Sequence, residues 1–350
     1  MRDKRNGLSR QGIRVGVILG GLLTLSPYFL SAQTCVTQAK MTPDIRDGLS
    51  AAALTLARAV QVADVAKVQG MTIAEFSSAS TFGPTANLMQ STASRMGNSE
   101  LRVVQIYELD ARSRAANDTS DAEFSCALTG STSETDFAIS GLPRGLYGFA
   151  MVEASGDHPW LLSFLLRQDD EVWKLAGFYP HASTAAGHDG DWYWKSARTY
   201  AKADELWLAW IFYGQAAELL RPANFVTSTN LDRLLSERRA AAPPELIGGI
   251  GSNHPVVLKA SDGKGGTVEY QFTGISAQAS DDGKELNLIL HIPVDGVSDA
   301  AAAIARSKAA AKALLDAHIE LRQAFSGVLI FADAEGREPL ITEQTISNIP

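Results

Sequence analysis

The 350-residue sequence lacks the short motifs that identify many hydrolases, zinc enzymes and nucleotide-binding proteins. It has no Gly-x-Ser-x-Gly nucleophile elbow and no His-Glu-x-x-His zinc helix. The segment Asp262–Thr267 combines glycines with a lysine, but no helix is predicted after it to direct amide groups at a phosphate. It is therefore interpreted as a hairpin turn. These absences weaken the case for an enzyme without excluding one.

Long apolar runs are also scarce, since only Val15–Leu30 qualifies. This run ends in the small residues Ser31 and Ala32, and it follows five basic residues, Arg2, Lys4, Arg5, Arg10 and Arg14. That order is typical of a secretory signal peptide, here residues 1–32, and predicts a periplasmic or secreted protein. A retained signal anchor is the alternative, although Pro27 and the small residues favour cleavage. No membrane span is predicted after this segment.

Charge and composition limit the class of partner. The hydrophobic content of 45% and charged content of 20% are close to the globular average, and the length suits two or three domains. The net charge of −8 becomes −12 without residues 1–32, which carry five basic residues and Asp3. Nucleic acid is therefore not expected as a partner, whereas a protein or small-molecule ligand remains open.

Only two cysteines occur, Cys35 and Cys126, and two cysteines alone cannot build a metal site. In an oxidising exported compartment, a disulfide between them is the favoured interpretation. Two free thiols are one alternative. Lipidation of Cys35 is another, although the polar Gln33 and Thr34 before it do not suit a lipoprotein signal.

The first half of the chain predicts helices followed by strands. Thr42, Pro43 and Asp44 begin a helix through Val65, and a second helix is predicted over Thr85–Met96. Alternation with a period of two begins at Leu101, and the hairpin Trp160–Tyr179 closes this run of strands. An α+β fold is predicted, with N-terminal helices on a curved antiparallel sheet.

This order of elements, with the closing segment Val172–Phe178, resembles the NTF2-like superfamily of cone-shaped α+β domains. The resemblance covers residues 33–182 and implies a pocket between helix and sheet. Some members of the family are enzymes that use an Asp/His pair inside the pocket. No such pair can be matched here, since no histidine lies between residues 36 and 157 and His158 occupies a predicted turn.

Residues 183–243 are predicted to form a helical region. Small and large residues alternate over 191–221 with a spacing that resembles one tetratricopeptide-type repeat: Tyr193, Ala197, Tyr200, Ala209, Tyr213, Ala216 and Pro222. No second copy follows, although such repeats usually stack in groups of about three. We therefore expect one helical hairpin docked on its neighbours.

A Pro/Gly-rich join over 240–251 predicts a domain boundary, so that residues 244–350 form a C-terminal α+β domain. Strands are predicted over 256–260, 266–277, 285–293, 328–332 and 340–346. One long helix, Asp299–Phe325, is predicted to cover this antiparallel sheet. His318 lies on the apolar stripe of that helix and is interpreted as a packing residue.

All six tryptophans fall within 51 residues: Trp160, Trp173, Trp192, Trp194, Trp207 and Trp210. Flat aromatic rings can form a platform for a sugar or peptide, or they can fill a core. The favoured interpretation is one structural seam between the sheet and the following helices. Trp192 and Trp194 remain binding-site candidates because they lie next to a polar loop.

That loop contains His181, His188, Asp189 and Asp191, which are residue types that bind metals or transfer protons. Their spacing fits no specific zinc signature, and Asp189 or Asp191 also suits a helix cap. Neither a cofactor nor a metal is predicted, and no catalytic residue is assigned. The sequence favours an exported binding or scaffold protein, with an exported hydrolase built on this loop as the alternative.

Overall fold

The computed structural model describes residues 34–127, 130–261, 265–294 and 299–349, which belong to one compact unit. The predicted signal peptide and the turn residues 262–264 lie outside the described residues. The helices are α1 (Pro43–Gln61), α2 (Val65–Gly70), α3 (Ala79–Met96), α4 (Gly190–Lys202), α5 (Leu206–Leu220), α6 (Thr229–Ala240), α7 (Ala300–Ala317) and α8 (Leu321–Ala324).

The strands are β1 (Thr34–Thr37), β2 (Glu100–Asp110), β3 (Ala122–Ala127), β4 (Glu134–Ile139), β5 (Leu146–Ser155), β6 (Trp160–Asp169), β7 (Val172–Ala182), β8 (Thr184–Ala185), β9 (His188–Asp189), β10 (Val226–Ser228), β11 (Val256–Ser261), β12 (Thr267–Phe272), β13 (Gly274–Ala279), β14 (Leu286–Pro293), β15 (Gly327–Asp333) and β16 (Leu340–Thr345). Helices and largely antiparallel sheets occur together, which confirms the predicted α+β class.

A five-stranded antiparallel sheet in the order β1-β2-β5-β6-β7 packs against the N-terminal helices α1 and α3. Alternate side chains face opposite sides, so Ile106 packs against α1 and α3 whereas Tyr107 packs on the other face. The approach of α1 is close. A Cβ atom at Gly148 of β5 would overlap the side chain of Leu49, so α1 can lie against the strand because residue 148 has no side chain.

The other face of this sheet is covered by a second sheet in the order β10-β4-β3. Phe137 of β4 lies edge-on between Tyr107 and Phe149, with ring centroids 5.2 and 5.3 Å away. Sequence alternation placed β3 and β4 in one run with their neighbours, but it cannot assign a strand to a sheet. The predicted disulfide is present and joins the two sheets, from Cys35 on β1 to Cys126 on β3, with Cα atoms 5.2 Å apart.

The predicted helical hairpin forms as α4 and α5, and α6 follows it. Every residue from Trp207 to Tyr213 of α5 is buried, so this helix is enclosed on all sides. One continuous apolar core joins α4, α5 and α6 to the C-terminal sheet. This core carries Trp207 and Trp210, whereas Trp173 belongs to the core under the N-terminal helices. The expectation of a single tryptophan seam is therefore wrong, although these three rings are buried.

The C-terminal sheet has the order β13-β14-β15-β16 and differs from its prediction in three ways. The strand predicted over 266–277 is divided into β12 and β13, and β12 pairs with β11 in a separate two-stranded sheet. The pair β14–β15 is parallel, not antiparallel, because α7 provides the crossover connection that parallel neighbours require. The predicted long helix ends at Ala317, and the short helix α8 follows. The break at His318 lets its ring lie on Trp207, with centroids 4.4 Å apart, while Leu321 and Phe325 remain buried.

Candidate functional site

A cleft of about 750 Å³ opens where the C-terminal end of α3, adjoining ends of β6 and β7, α5 and β13 come together. Its lining combines apolar side chains with the polar residues Thr92, His181, Gln215 and Glu218. The volume lies within the usual range of small-molecule sites, roughly 300 to 1,000 Å³. The cleft is therefore large enough for a small ligand.

Three unpaired polar atoms occur on the lining residues of this cleft. Thr92 Oγ1, His181 Nε2 and Gln215 Oε1 are buried, and none has a hydrogen-bond partner in the described part of the chain. Thr92 is 1% exposed and Gln215 is 7% exposed. A buried polar group without a partner costs roughly 1–3 kcal/mol. All three residues line the cleft, so a ligand that reached these atoms would remove this cost.

The local contacts of His181 determine what its ring offers. Nδ1 donates to the carbonyl oxygen of Ala182 at 2.9 Å, because a carbonyl oxygen only accepts. Burial lowers the pKa of His181, and the hydrogen bond to Ala182 and the charge of Glu218 only partly oppose that shift. The imidazole is therefore neutral at pH 7, and its Nε2 is a hydrogen-bond acceptor.

Gln215 and Glu218 lie one helical turn apart on α5. Gln215 is a buried amide within the otherwise apolar segment Leu206–Ala217 of α5, and its oxygen is a second acceptor. Gln215 was not among the site residues predicted from the sequence. The sequence does carry a signal for this residue, since Gln215 is the single amide in the apolar segment Leu206–Ala217. Burying an amide without a hydrogen-bond partner costs free energy, so such a residue suggests a specific role.

The rim of the cleft joins distant parts of the sequence. Arg95 of α3 forms an ion pair with Asp281, which follows β13, with Nη2 and Oδ1 3.1 Å apart. Gly283, in the same turn, has a φ of +71° and lies beside His158. A Cβ atom at this position would be 3.2 Å from His158 Nδ1, so both backbone conformation and space favour glycine.

The four residues of the predicted loop site are not brought together as one cluster. His181 lines the cleft, whereas the exposed His188 stacks on Trp192 with ring centroids 3.7 Å apart. Asp189 caps α4, since its Oδ1 accepts from the backbone N–H of Trp192 at 2.8 Å, and Asp191 lies in the first turn. Among the described residues, no group of three or more His, Cys, Asp or Glu side chains could hold a metal ion.

The tryptophan candidates near this loop also have identifiable contacts. Trp194 Nε1 donates to Glu237 Oε2 at 2.8 Å, and the Arg198 guanidinium lies 4.5 Å from the centre of the Trp194 ring. Trp194 therefore helps to join α4 to α6. Trp192 is 39% exposed and does not line the cleft, whereas Trp160 does.

Comparison with known proteins finds no matching family model, curated protein or solved structure. Within the described ranges, no helix is long and apolar enough to cross a membrane. The disulfide between Cys35 and Cys126 fits an exported protein. A function must therefore be argued from the chemistry of the cleft.

Proposed function

We propose that this chain is an exported binding protein and that the cleft lined by Thr92, His181 and Gln215 holds a small polar ligand. The observation that carries the proposal is the set of three buried, unpaired polar atoms on those residues. A ligand that completes these hydrogen bonds would recover a cost that the free protein bears. The proposed pocket differs from the loop site expected from the sequence, although both include His181.

Export is the second part of the proposal. It is supported by the basic and apolar pattern of residues 1–32 and by the disulfide of Cys35 and Cys126. A periplasmic or secreted location follows from that pattern. A binding protein in such a compartment would meet its ligand directly from the surroundings.

The hydrolase alternative depends on the 181–191 loop. The contacts of that loop account for Asp189 as a helix cap and for His188 as a partner of Trp192. Neither contact requires a reaction. The loop therefore gives less support to a hydrolase than the cleft gives to a binding protein.

We also propose that residues 33–182 are related to NTF2-like domains and that α4 and α5 are related to a tetratricopeptide-type hairpin. The support for the first is the placement of α1 and α3 on an antiparallel sheet. The second sheet covers the opposite face of this five-stranded sheet. The proposed relationship is therefore limited to α1, α3 and the five-stranded sheet, and it does not identify a ligand.

The binding proposal can be tested with matched threonine variants. Thr92 and Thr342 are both buried and carry unpaired hydroxyls, but only Thr92 lines the cleft. Replacing either residue with valine removes the unpaired hydroxyl. We therefore expect the melting temperature of the ligand-free protein to change by a similar amount in both variants.

Ligand binding should distinguish the two variants. With compounds that raise the melting temperature of the wild-type protein, Thr92→Val and Gln215→Leu should weaken binding about tenfold, which is the effect of one lost hydrogen bond. Thr342→Val should bind as the wild type does. Calorimetric titration measures these affinities. Equal binding by all variants would place the ligand elsewhere and contradict the proposal.

A further inference from the structure

We propose that the ligand of the cleft is a neutral polyhydroxylated molecule of the saccharide class. This inference rests on the proposed function and specifies the chemistry of its ligand. It is carried by three features of the cleft: the hydrogen-bonding direction of its unpaired atoms, the compensation of its charges, and the presence of Trp160 among hydroxyl side chains.

The unpaired atoms favour a ligand that donates hydrogen bonds. Both His181 Nε2 and Gln215 Oε1 are acceptors, and Thr92 Oγ1 can either donate or accept. A ligand hydroxyl can serve all three atoms because it also donates and accepts. A carboxylate or phosphate dianion has no proton to donate to the two acceptors, so the three atoms disfavour such anions.

The charges around the cleft are compensated by neighbouring charges. Arg95 pairs with Asp281 across the rim, which leaves neither charge isolated. Glu218 acts on the partly buried Arg238, since burial lowers the pKa of Arg238 and the negative charge of Glu218 opposes that shift. Since each carboxylate has a nearby guanidinium, the cleft has no strong preference for a cation. A neutral ligand fits this pattern best.

The remaining lining resembles a surface suited to sugar rings. Trp160 is partly buried and lines the cleft, and an indole face packs well on the apolar C–H face of a sugar. The same lining contains several short hydroxyl side chains: Ser91, Ser94, Thr184, Ser276 and Ser280. An aromatic ring beside many hydroxyl groups suits a molecule with one apolar face and several hydroxyls at its edge.

The test is a melting screen of the full mature protein, followed by calorimetric titration. The probes are a broad panel of mono-, di- and trisaccharides, together with spermidine as a cation and citrate as an anion. We expect at least one saccharide to bind, with about tenfold weaker binding to Gln215→Leu and unchanged binding to Thr342→Val.

The role of Trp160 is tested by two substitutions. Trp160→Ala should weaken saccharide binding by about tenfold or more, whereas Trp160→Phe should retain most of it because a flat ring remains. If Trp160→Ala fails to fold, Trp160→Phe still measures how binding depends on the ring at this position. Trp192→Ala, outside the cleft, is the matched control and should bind normally.

The possible failures are distinct. Cleft binding of spermidine, citrate or another non-saccharide, without any saccharide response, would overturn the ligand class while preserving the binding function. Saccharide binding that is insensitive to Gln215→Leu and Trp160→Ala would move the site away from the cleft and overturn both proposals. If neither the panel nor a general metabolite library binds, the proposed function itself fails.

Discussion

At the scale of single residues, the Glu237 carboxylate accepts hydrogen bonds from side chains on two helices. It accepts hydrogen bonds from Trp194 and Arg198 of α4 and from Arg233 one turn earlier on α6. The contact with Arg198 is bidentate, at 2.7 and 2.8 Å, which is a strong geometry for this pair. These bonds, led by those from Arg198, lower the pKa of Glu237 to about 2.

This shift predicts a contribution to stability that depends on pH. Because the pKa is about 2 in the folded protein and about 4.5 in the unfolded chain, the contribution is fully present above pH 4.5 and is lost as pH falls toward 2. Glu237→Gln should reduce the unfolding free energy by about 1–2 kcal/mol at pH 7, allowing for solvent screening, and by less at pH 3. Urea unfolding at both pH values measures the difference. A deficit of equal size at pH 7 and pH 3 would contradict the electrostatic explanation.

At the scale of elements, the Cys35–Cys126 bond fastens the edge strand β1 to β3 of the other sheet. β1 has only four residues and pairs with β2 alone, so its backbone contacts are few. A covalent link at this position restricts both the start of the described chain and the second sheet. The cysteine scarcity in the sequence was therefore informative, because two cysteines in an exported chain leave only one intramolecular pair.

The disulfide leads to a prediction for stability. Its sequence separation is 91 residues, and the chain-entropy model assigns a loop of that size about 4–5 kcal/mol. Cys35→Ser/Cys126→Ser should therefore melt at a clearly lower temperature than the wild type. Thiol titration of the denatured, unreduced wild-type protein should find no free thiol. Two titratable thiols in the exported protein would show that the bond does not form there.

Local patterns predicted most helices and strands but not all of their partners. Thr42, Pro43 and Asp44 marked the beginning of α1 because cap and dipole preferences act within one turn. By contrast, α3 begins at Ala79, before the predicted start, because Ser78 caps it upstream of Pro84. The break after Ala317 carries no glycine or proline, and the His318 ring at that point lies against Trp207 of α5, which is a contact that no local pattern encodes.

At the scale of the whole molecule, the cleft is assembled from residues that lie far apart in sequence. Thr92, His181 and Gln215 come from α3, β7 and α5, and Asp281 adds the opposite rim. Sequence reasoning found His181 but grouped it with His188 and Asp189 because they are neighbours along the chain. Their true surroundings depend on how α5 and β13 meet the N-terminal sheet, and no local pattern encodes that arrangement.

The same assembly allows a test of the predicted domain boundary at residues 243 and 244. The residues Trp207–Tyr213 of α5 are all buried, and part of their cover comes from beyond that boundary. Phe212 lies 6.3 Å from Phe325, and Trp207 lies 4.4 Å from His318, measured between ring centroids. A chain that ends at Ala242 would expose these aromatic rings to water.

We therefore expect a fragment ending at Ala242 to fold poorly, even though it retains the disulfide, both N-terminal sheets and the helical hairpin. Exposed aromatic surface on α5 should make it aggregate, or leave a loosely packed state that binds a hydrophobic dye and melts without a sharp transition. Calorimetry, dye binding and size-exclusion chromatography of the fragment and the full chain measure these properties. A monomeric fragment with a cooperative melt would instead show that the chain up to Ala242 folds without the C-terminal residues, as the predicted boundary requires. Because the fragment would lack the β13 side of the cleft, the ligand should then raise the melting temperature of the full chain but not that of the fragment.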